Sequence, residues 1–142
     1  MWHDTGSGAS ELPAGAWLEP GEHSESPATK RRLKNLLDAT GLSDGLVVLS
    51  PRPATVDDLC RVHTHAYVER IRKLSAGHGG DAGSEAPFRN GSFEIAQLAA
   101  GGTITAIDAV LDGTVENAYA LVRPPGHHAL PECGQPLGAV AA

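Results

Sequence analysis

Four things are scarce in this chain. Cysteine occurs twice in 142 residues, at Cys60 and Cys133, too rarely for a disulfide framework or a cysteine-rich metal site. A reducing, cytoplasmic location is therefore expected. Aromatic residues make up 4%, so a core has to be built from Leu, Val, Ile and Ala. Positive charge is outweighed: 11 Lys and Arg face 17 Asp and Glu, a formal net charge of −6. A nucleic-acid binder would show a basic surface. The one basic cluster, Lys30-Arg31-Arg32 with Lys34, reads as the solvated face of a helix. Direct nucleic-acid binding is not expected, whereas a cationic or lysine-bearing substrate is compatible with the charge. Long apolar runs are also missing. No stretch approaches the length of a membrane span, and the N-terminus lacks the basic-then-apolar pattern of a signal peptide. No membrane association is expected, and nothing in the sequence decides the oligomeric state.

What the chain does have is punctuation: 17 Gly and 10 Pro, which imply many loops. Residues 1–25 read as a loop-rich arm. Ser26 as N-cap and Pro27 at the first helical position start a helix to about Thr40, with Gly41 as its stop. Leu33, Leu36 and Leu37 share one face of it. Leu46-Val47-Val48-Leu49 reads as a strand buried on both faces. Thr55 with Asp58 forms a capping-box-like start. Thr64 caps a helix carrying Tyr67, Val68, Ile71 and Leu74, ended by Gly77. Residues 76–91 are a long polar, Gly-rich loop, of a length that is often functional; a plain surface excursion is the alternative. Ser92 caps a long helix to about Asp112, with Ile104, Ile107 and Leu111 as its core stripe. Gly101-Gly102 within it points to close packing on another backbone. Residues 118–122 form a second strand candidate. Two strands separated by helices imply an α/β layering with a parallel sheet, and the long helix should pack on that sheet. Two strands are few for a finished sheet of this kind, so the chain reads as the first section of a larger fold.

The strongest chemical signal is Arg123-Pro-Pro-Gly-His-His-Ala129. In α/β folds ligands gather beyond the carboxyl ends of the strands. Pro124-Pro125 stiffens the exit from the strand, and Gly126 permits a close backbone approach. His127 and His128 would then be presented rigidly, and a neutral imidazole takes up a proton from water and later returns one. An exposed, inert His-His pair is the alternative reading. His63 and His65 are two apart, and His23 lies near Glu22 and Glu25, but these spacings do not build the roughly four-ligand set of a closed zinc site. His63 reads as a structural histidine at a helix junction.

The passage 123–129 resembles the tandem-histidine motif of the histone deacetylase family and its bacterial amidohydrolase relatives. Three further blocks agree in order: Ser26-Pro-Ala-Thr-Lys-Arg-Arg32, Val62-His-Thr-His-Ala-Tyr67, and Gly91-Ser-Phe-Glu-Ile-Ala-Gln-Leu-Ala-Ala-Gly-Gly102. The bacterial, class II-like branch is the most similar. The resemblance implies a three-layer α/β/α, arginase-like fold with a parallel sheet, of which this chain is a truncated part. It implies zinc-dependent removal of acyl groups from lysine side chains or from acetylated polyamines. By match of motif, His127 and His128 become the proton-transfer pair, either one serving as base, and Gly126 lines the acyl channel. Asp81 lies in the loop from which the family holds substrate backbone, and so does Glu85. The family's zinc ligands, an Asp-x-His pair and a later Asp, follow the tandem histidines, as does a tyrosine that stabilises the oxyanion. No Asp-x-His pair occurs here. Zinc is thus the cofactor of the complete family domain, and tight zinc binding and activity are not expected of this chain alone; a non-catalytic fragment or interaction module of the same family is the second reading. The implied organisation is an arm at 1–25, a deacetylase-like part at 26–134, and a divergent tail at 135–142, where Gln135-Pro-Leu-Gly-Ala-Val140 replaces the family's aromatic segment.

Overall fold

The structure, a computed structural model, describes residues 27–83, 86–127 and 129–133. The N-terminal arm, Ser26, Glu85, His128 and the divergent tail lie outside the described residues. The chain divides into two compact units, Met1–Leu46 and Val47–Ala142.

The first unit contains helix α1, Pro27–Ala39. Lys34 and Asp38 pair one turn apart at 2.6 Å on its exposed side. Gly41 stops the helix in the left-handed conformation (φ 74°), which a Cβ would disfavour, and a 3₁₀ turn follows at Leu42–Gly45. The leucine face expected to be core is not buried here: Leu33 and Leu37 are half-buried and Leu36 is exposed.

The second unit holds α2 (Val56–Leu59), α3 (His65–Ala76), β1 (Gly80–Asp81), β2 (Pro87–Phe88) and α4 (Ser92–Leu111). The capping box expected at Thr55 is complete: its side chain accepts from the Asp58 N–H, and Asp58 accepts from the Thr55 N–H. Thr64 caps α3 by accepting from the Tyr67 N–H at 3.3 Å. Tyr67, Val68 and Ile71 are buried in a core with Leu59, Phe88, Phe93, Ala96 and Ala100. Alanine dominates α4's share of this core, which lets α3 and α4 approach closely.

α4 starts differently from its sequence reading. Gly91, left-handed at φ 77°, occupies the N-cap and offers no side chain. Ser92 turns its hydroxyl back to accept from the Arg89 N–H at 3.2 Å. The oxygen that caps the helix comes from α3: the buried Ser75 accepts from the Phe93 N–H at 2.9 Å. In return Asn90 donates from Nδ2 to the carbonyls of Ser75, Ala76 and Gly77 at 2.9–3.3 Å. The end of α3 and the start of α4 thus satisfy each other's orphan backbone groups.

Gly101 behaves as its sequence context implies. A Cβ there would lie 1.7 Å from the Arg52 carbonyl oxygen. The segment 51–54 runs against α4 at this point, with the Ala54 N–H donating to the Gln97 carbonyl at 2.9 Å and Gln97 Nε2 donating to the Ala54 carbonyl at 2.8 Å. Gly102 faces Val122 and Pro51, so the segments after 46–49 and around 118–122 meet on the same part of α4.

Neither of those segments is a strand in this structure, contrary to expectation. The sheet among the described residues is the antiparallel pair β1–β2, with Gly80 opposite Phe88 and Asp81 opposite Pro87. A parallel strand requires hydrogen-bonding neighbours and cover on both faces. Val48 and Tyr119 are instead 85% and 75% exposed. The stripe expected to be core on α4 is partly uncovered for the same reason: Ile104 packs on the core, while Ile107 and Leu111 are exposed. The loop 76–91 also departs from a structureless reading, since β1 and β2 fold within it and bury Ala82, Ala86 and Phe88. Gly79 enters this hairpin at φ 89°, where a Cβ would sit 2.2 Å from the Phe88 carbonyl oxygen.

α4 is long and apolar enough, by length and composition, to cross a membrane, which corrects the view that no segment reaches that size. Its Phe93, Ala96 and Ala100 are instead buried in the core with α3, as in a central helix of a globular fold.

Candidate functional site

The tandem-histidine passage leaves α4 by way of 118–122. The Arg123–Pro124 peptide bond is cis. Residues 123–126 are half-buried and His127 is exposed. The Ala129 N–H donates to the Gly126 carbonyl at 2.9 Å, closing the backbone back on itself just past His127. The next turn is closed between Leu130 and Cys133, whose backbones exchange hydrogen bonds at 2.8 and 3.4 Å. A short run thus carries two consecutive turns, and this fixes the backbone on either side of the histidines.

That run is tied to the junction of α2 and α3. The Thr64 N–H donates to the Pro131 carbonyl at 2.9 Å. His63, 2% exposed, hydrogen-bonds with the backbone of Pro131 and Leu130. Burial pushes its imidazole below the usual histidine range, and the two backbone bonds partly oppose that shift. His63 is therefore neutral near pH 7. Its ring centroid lies 4.9 Å from that of Tyr67. His65, two residues on, is exposed, so the two histidines do not share a site. Sequence reading identified His63 as structural, but not what it holds; the Val62–Tyr67 block was the available signal.

Asp81 sits at the mouth of the hairpin. Its Oδ1 accepts from the N–H groups of Gly83 and Ala86 at 2.9 and 3.0 Å, a local loop closure by a short acidic side chain. The hairpin is itself fastened to α3. Tyr67 donates its hydroxyl to the Ala82 carbonyl at 3.0 Å. Arg70 donates to the carbonyls of Asp81 and Ala82 at 3.1 and 3.3 Å, with its guanidinium 5.3 Å from the Tyr67 ring centre. The hairpin of Asp81 and the loop after His127 are thus both hung on the first half of α3.

No group of three or more His, Cys, Asp or Glu that could hold a metal ion occurs among the described residues. A shallow cavity of about 270 Å³ lies instead along the second half of α4, walled by Ile107, Val110, Leu111, Ala118 and Ala120.

Comparison with known proteins agrees with the motif reading. The histone deacetylase domain matches residues 23–138. The histone deacetylase-like amidohydrolase of Pseudomonas aeruginosa is 52% identical over 135 residues, covering 93% of this chain and 36% of that protein. The human polyamine deacetylase HDAC10 is 34% identical over 123 residues, covering 79% of this chain and 18% of that protein. In three dimensions the chain superposes on the HD domain of HDA15 with a TM-score of 0.79 at 28% identity, covering 87% of this chain and 35% of that one. The chain therefore spans about a third of the Pseudomonas relative's length.

Proposed function

The chain belongs to the histone deacetylase family, and from that premise we propose that it supplies the proton-transfer part of a deacetylase site, acting on acetylated lysine side chains or acetylated polyamines. The observation that carries this reading is the turn Gly126–Ala129. It closes next to His127, in a loop that carries Pro124-Pro125 before it and is anchored at its far end on the α2–α3 junction.

Hydrolysis of an amide needs a proton removed from the attacking water and a proton delivered to the departing nitrogen. Two adjacent imidazoles serve both needs near neutral pH. In this reading one of His127 and His128 takes the water's proton, and one returns a proton to the leaving amine. Gly126 lines the acyl channel, where the lack of a side chain leaves room. Asp81 stands on the substrate side, on its hairpin. The family's zinc would polarise the amide carbonyl. The described residues do not fit that ion: no set of three donors converges among them, and the sequence has no Asp-x-His pair. The 142-residue chain by itself is accordingly expected to release no acetate from acetyl-lysine peptides.

The fold proposed for the complete domain is three-layered, with segments 46–49 and 118–122 becoming parallel neighbours or near-neighbours once other strands flank them. Pro51, just past the first segment, and Val122 of the second both lie against Gly102, which supports this.

The experiment is a chimera in which the remainder of the 52%-identical Pseudomonas protein follows Cys133. It is expected to deacetylate acetyl-lysine peptides or acetylated polyamines. His127→Ala and His128→Ala, made separately, should each lower turnover by about 10²–10⁴-fold, with bound zinc unchanged. Full activity of the His128→Ala chimera would remove the role assigned to the pair. An inactive chimera that folds and binds zinc would favour a non-catalytic module.

A further inference from the structure

The tandem-histidine loop is shaped by its own turns but oriented by something else. The bonds from Ala129 to Gly126 and between Leu130 and Cys133 lie within the loop, so they define its curvature and leave its direction open. Among the described residues the loop is attached to the helix junction by Thr64, through its N–H to the Pro131 carbonyl, and by His63, to the backbone of Pro131 and Leu130. The two kinds of attachment differ in cost. A backbone N–H at the first turn of a helix is already an orphan donor seeking an acceptor. Burying a whole imidazole to 2% exposure desolvates two polar nitrogens. A phenyl or isobutyl group would fill the same space without that penalty.

We propose that His63 is a positioning residue for the tandem-histidine turn, clamping residues 130–131 to the α2–α3 junction and so setting where His127 and His128 point. This rests on the deacetylase reading of those two histidines. The clamp also reaches the other side of the site. His63 immediately precedes Thr64, the N-cap of α3, and Tyr67 and Arg70 lie on the first turns of that helix. Tyr67 stacks near His63 and holds the Ala82 carbonyl, and Arg70 holds those of Asp81 and Ala82. The N-cap end of α3 thus holds the loop behind His127, and the first turns of the helix hold the hairpin of Asp81. The distance between the two is fixed by a rigid helix, which is how a site keeps its geometry when its residues come from loops.

The test uses the 142-residue chain and needs no substrate or metal. In the wild-type protein the His63 ring N–H should exchange slowly with water and show nuclear Overhauser contacts to Leu130 and Pro131. His63→Phe keeps a buried ring but cannot donate. It should speed amide exchange at Leu130 and Cys133 about tenfold or more, a loss comparable to one hydrogen bond to stability, and shift the His127 ring resonances. The amides of Val68 and Ile71 in the α3 core should keep their protection. His63→Gln, which retains a donor, should recover most of the loop protection. Uniform acceleration throughout the core would mean that His63 only fills space, and would overturn the proposal. So would unchanged exchange at 130–133, or a wild-type His63 ring N–H without contacts to 130–131, a result that stands even if His63→Phe does not fold. None of these readings depends on acetate release, so failure of the chimera to deacetylate and failure of the clamp are separate results.

Discussion

Single residues in this protein are held by backbone as much as by side chains. Gly101 is the sharpest case. With a Cβ built 1.7 Å from the Arg52 carbonyl oxygen, nothing flexible is available to yield. Gly101→Ala is expected to destabilise the second unit by about 3 kcal/mol or more, at the upper end for overpacked sites. Chemical denaturation should show it as a lowered midpoint, and an unchanged midpoint would mean that segment 51–54 moves freely off α4. His63 supplies a pH dependence. Its pKa in the folded chain lies below the ordinary 6.5, so between those two values the unfolded chain binds more protons. Stability is then full above about 6.5 and falls as pH drops below it. Thermal melts of the wild type and His63→Gln between pH 8 and 5 should converge as pH falls, since the variant lacks this proton uptake. Parallel curves would show that the imidazole does not titrate differently in the two states.

At the scale of elements, what stands out is which signals came from neighbours along the chain and which from across it. The capping box at Thr55 and the cap at Thr64 are local, three-residue devices, and both form where the sequence puts them. The start of α4 is not local. Ser92 has the right chemistry for a cap, yet Gly91 takes the cap position and Ser75 of α3 provides the oxygen. Ser75→Ala should therefore leave the Phe93 N–H buried without its acceptor, at a cost of about 1–3 kcal/mol. Ser92→Ala should cost less, because its hydroxyl serves only the exposed Arg89 N–H. Equal losses in urea denaturation would refute this ordering. The hairpin in 80–88 has the same character. Its Gly-rich sequence predicts a loop, whereas Tyr67 and Arg70 from α3 give its carbonyls partners and Phe88 a core to enter.

For the whole molecule the open question is covering. In the second unit Val48, Leu111 and Tyr119 are 85%, 79% and 75% exposed, and the cavity beside α4 is walled almost wholly by apolar groups. Contiguous apolar surface of this kind marks an interface or a liability to associate. The isolated chain is expected to bind the dye ANS and to self-associate at micromolar concentration. A monomer with a sharp, reversible, two-state melt and no dye binding would show that this surface is covered in solution. The apolar composition of 46–49 and 118–122 suits buried strands. A strand, however, is a relation between segments, and its hydrogen bonds exist only when a partner lies alongside.

The sequence by itself determined the helices, the caps at Thr55 and Thr64, the glycine contact on α4 and the family, because each is encoded in residues close together: Thr55 with Asp58, Gly101 with Gly102, Pro124 through His128. These signals act through local sterics and short-range hydrogen bonds, which any reading of neighbouring residues can follow. The tertiary structure alone decided that Ser75 caps α4 and that Tyr67 and Arg70 fasten the hairpin of Asp81 to α3. It alone decided that His63 holds Leu130 and Pro131, residues far along the chain from it. Those pairings join groups with no short-range relation. Buried donors and acceptors take whichever partner packing brings within reach, and packing is set by the whole chain at once.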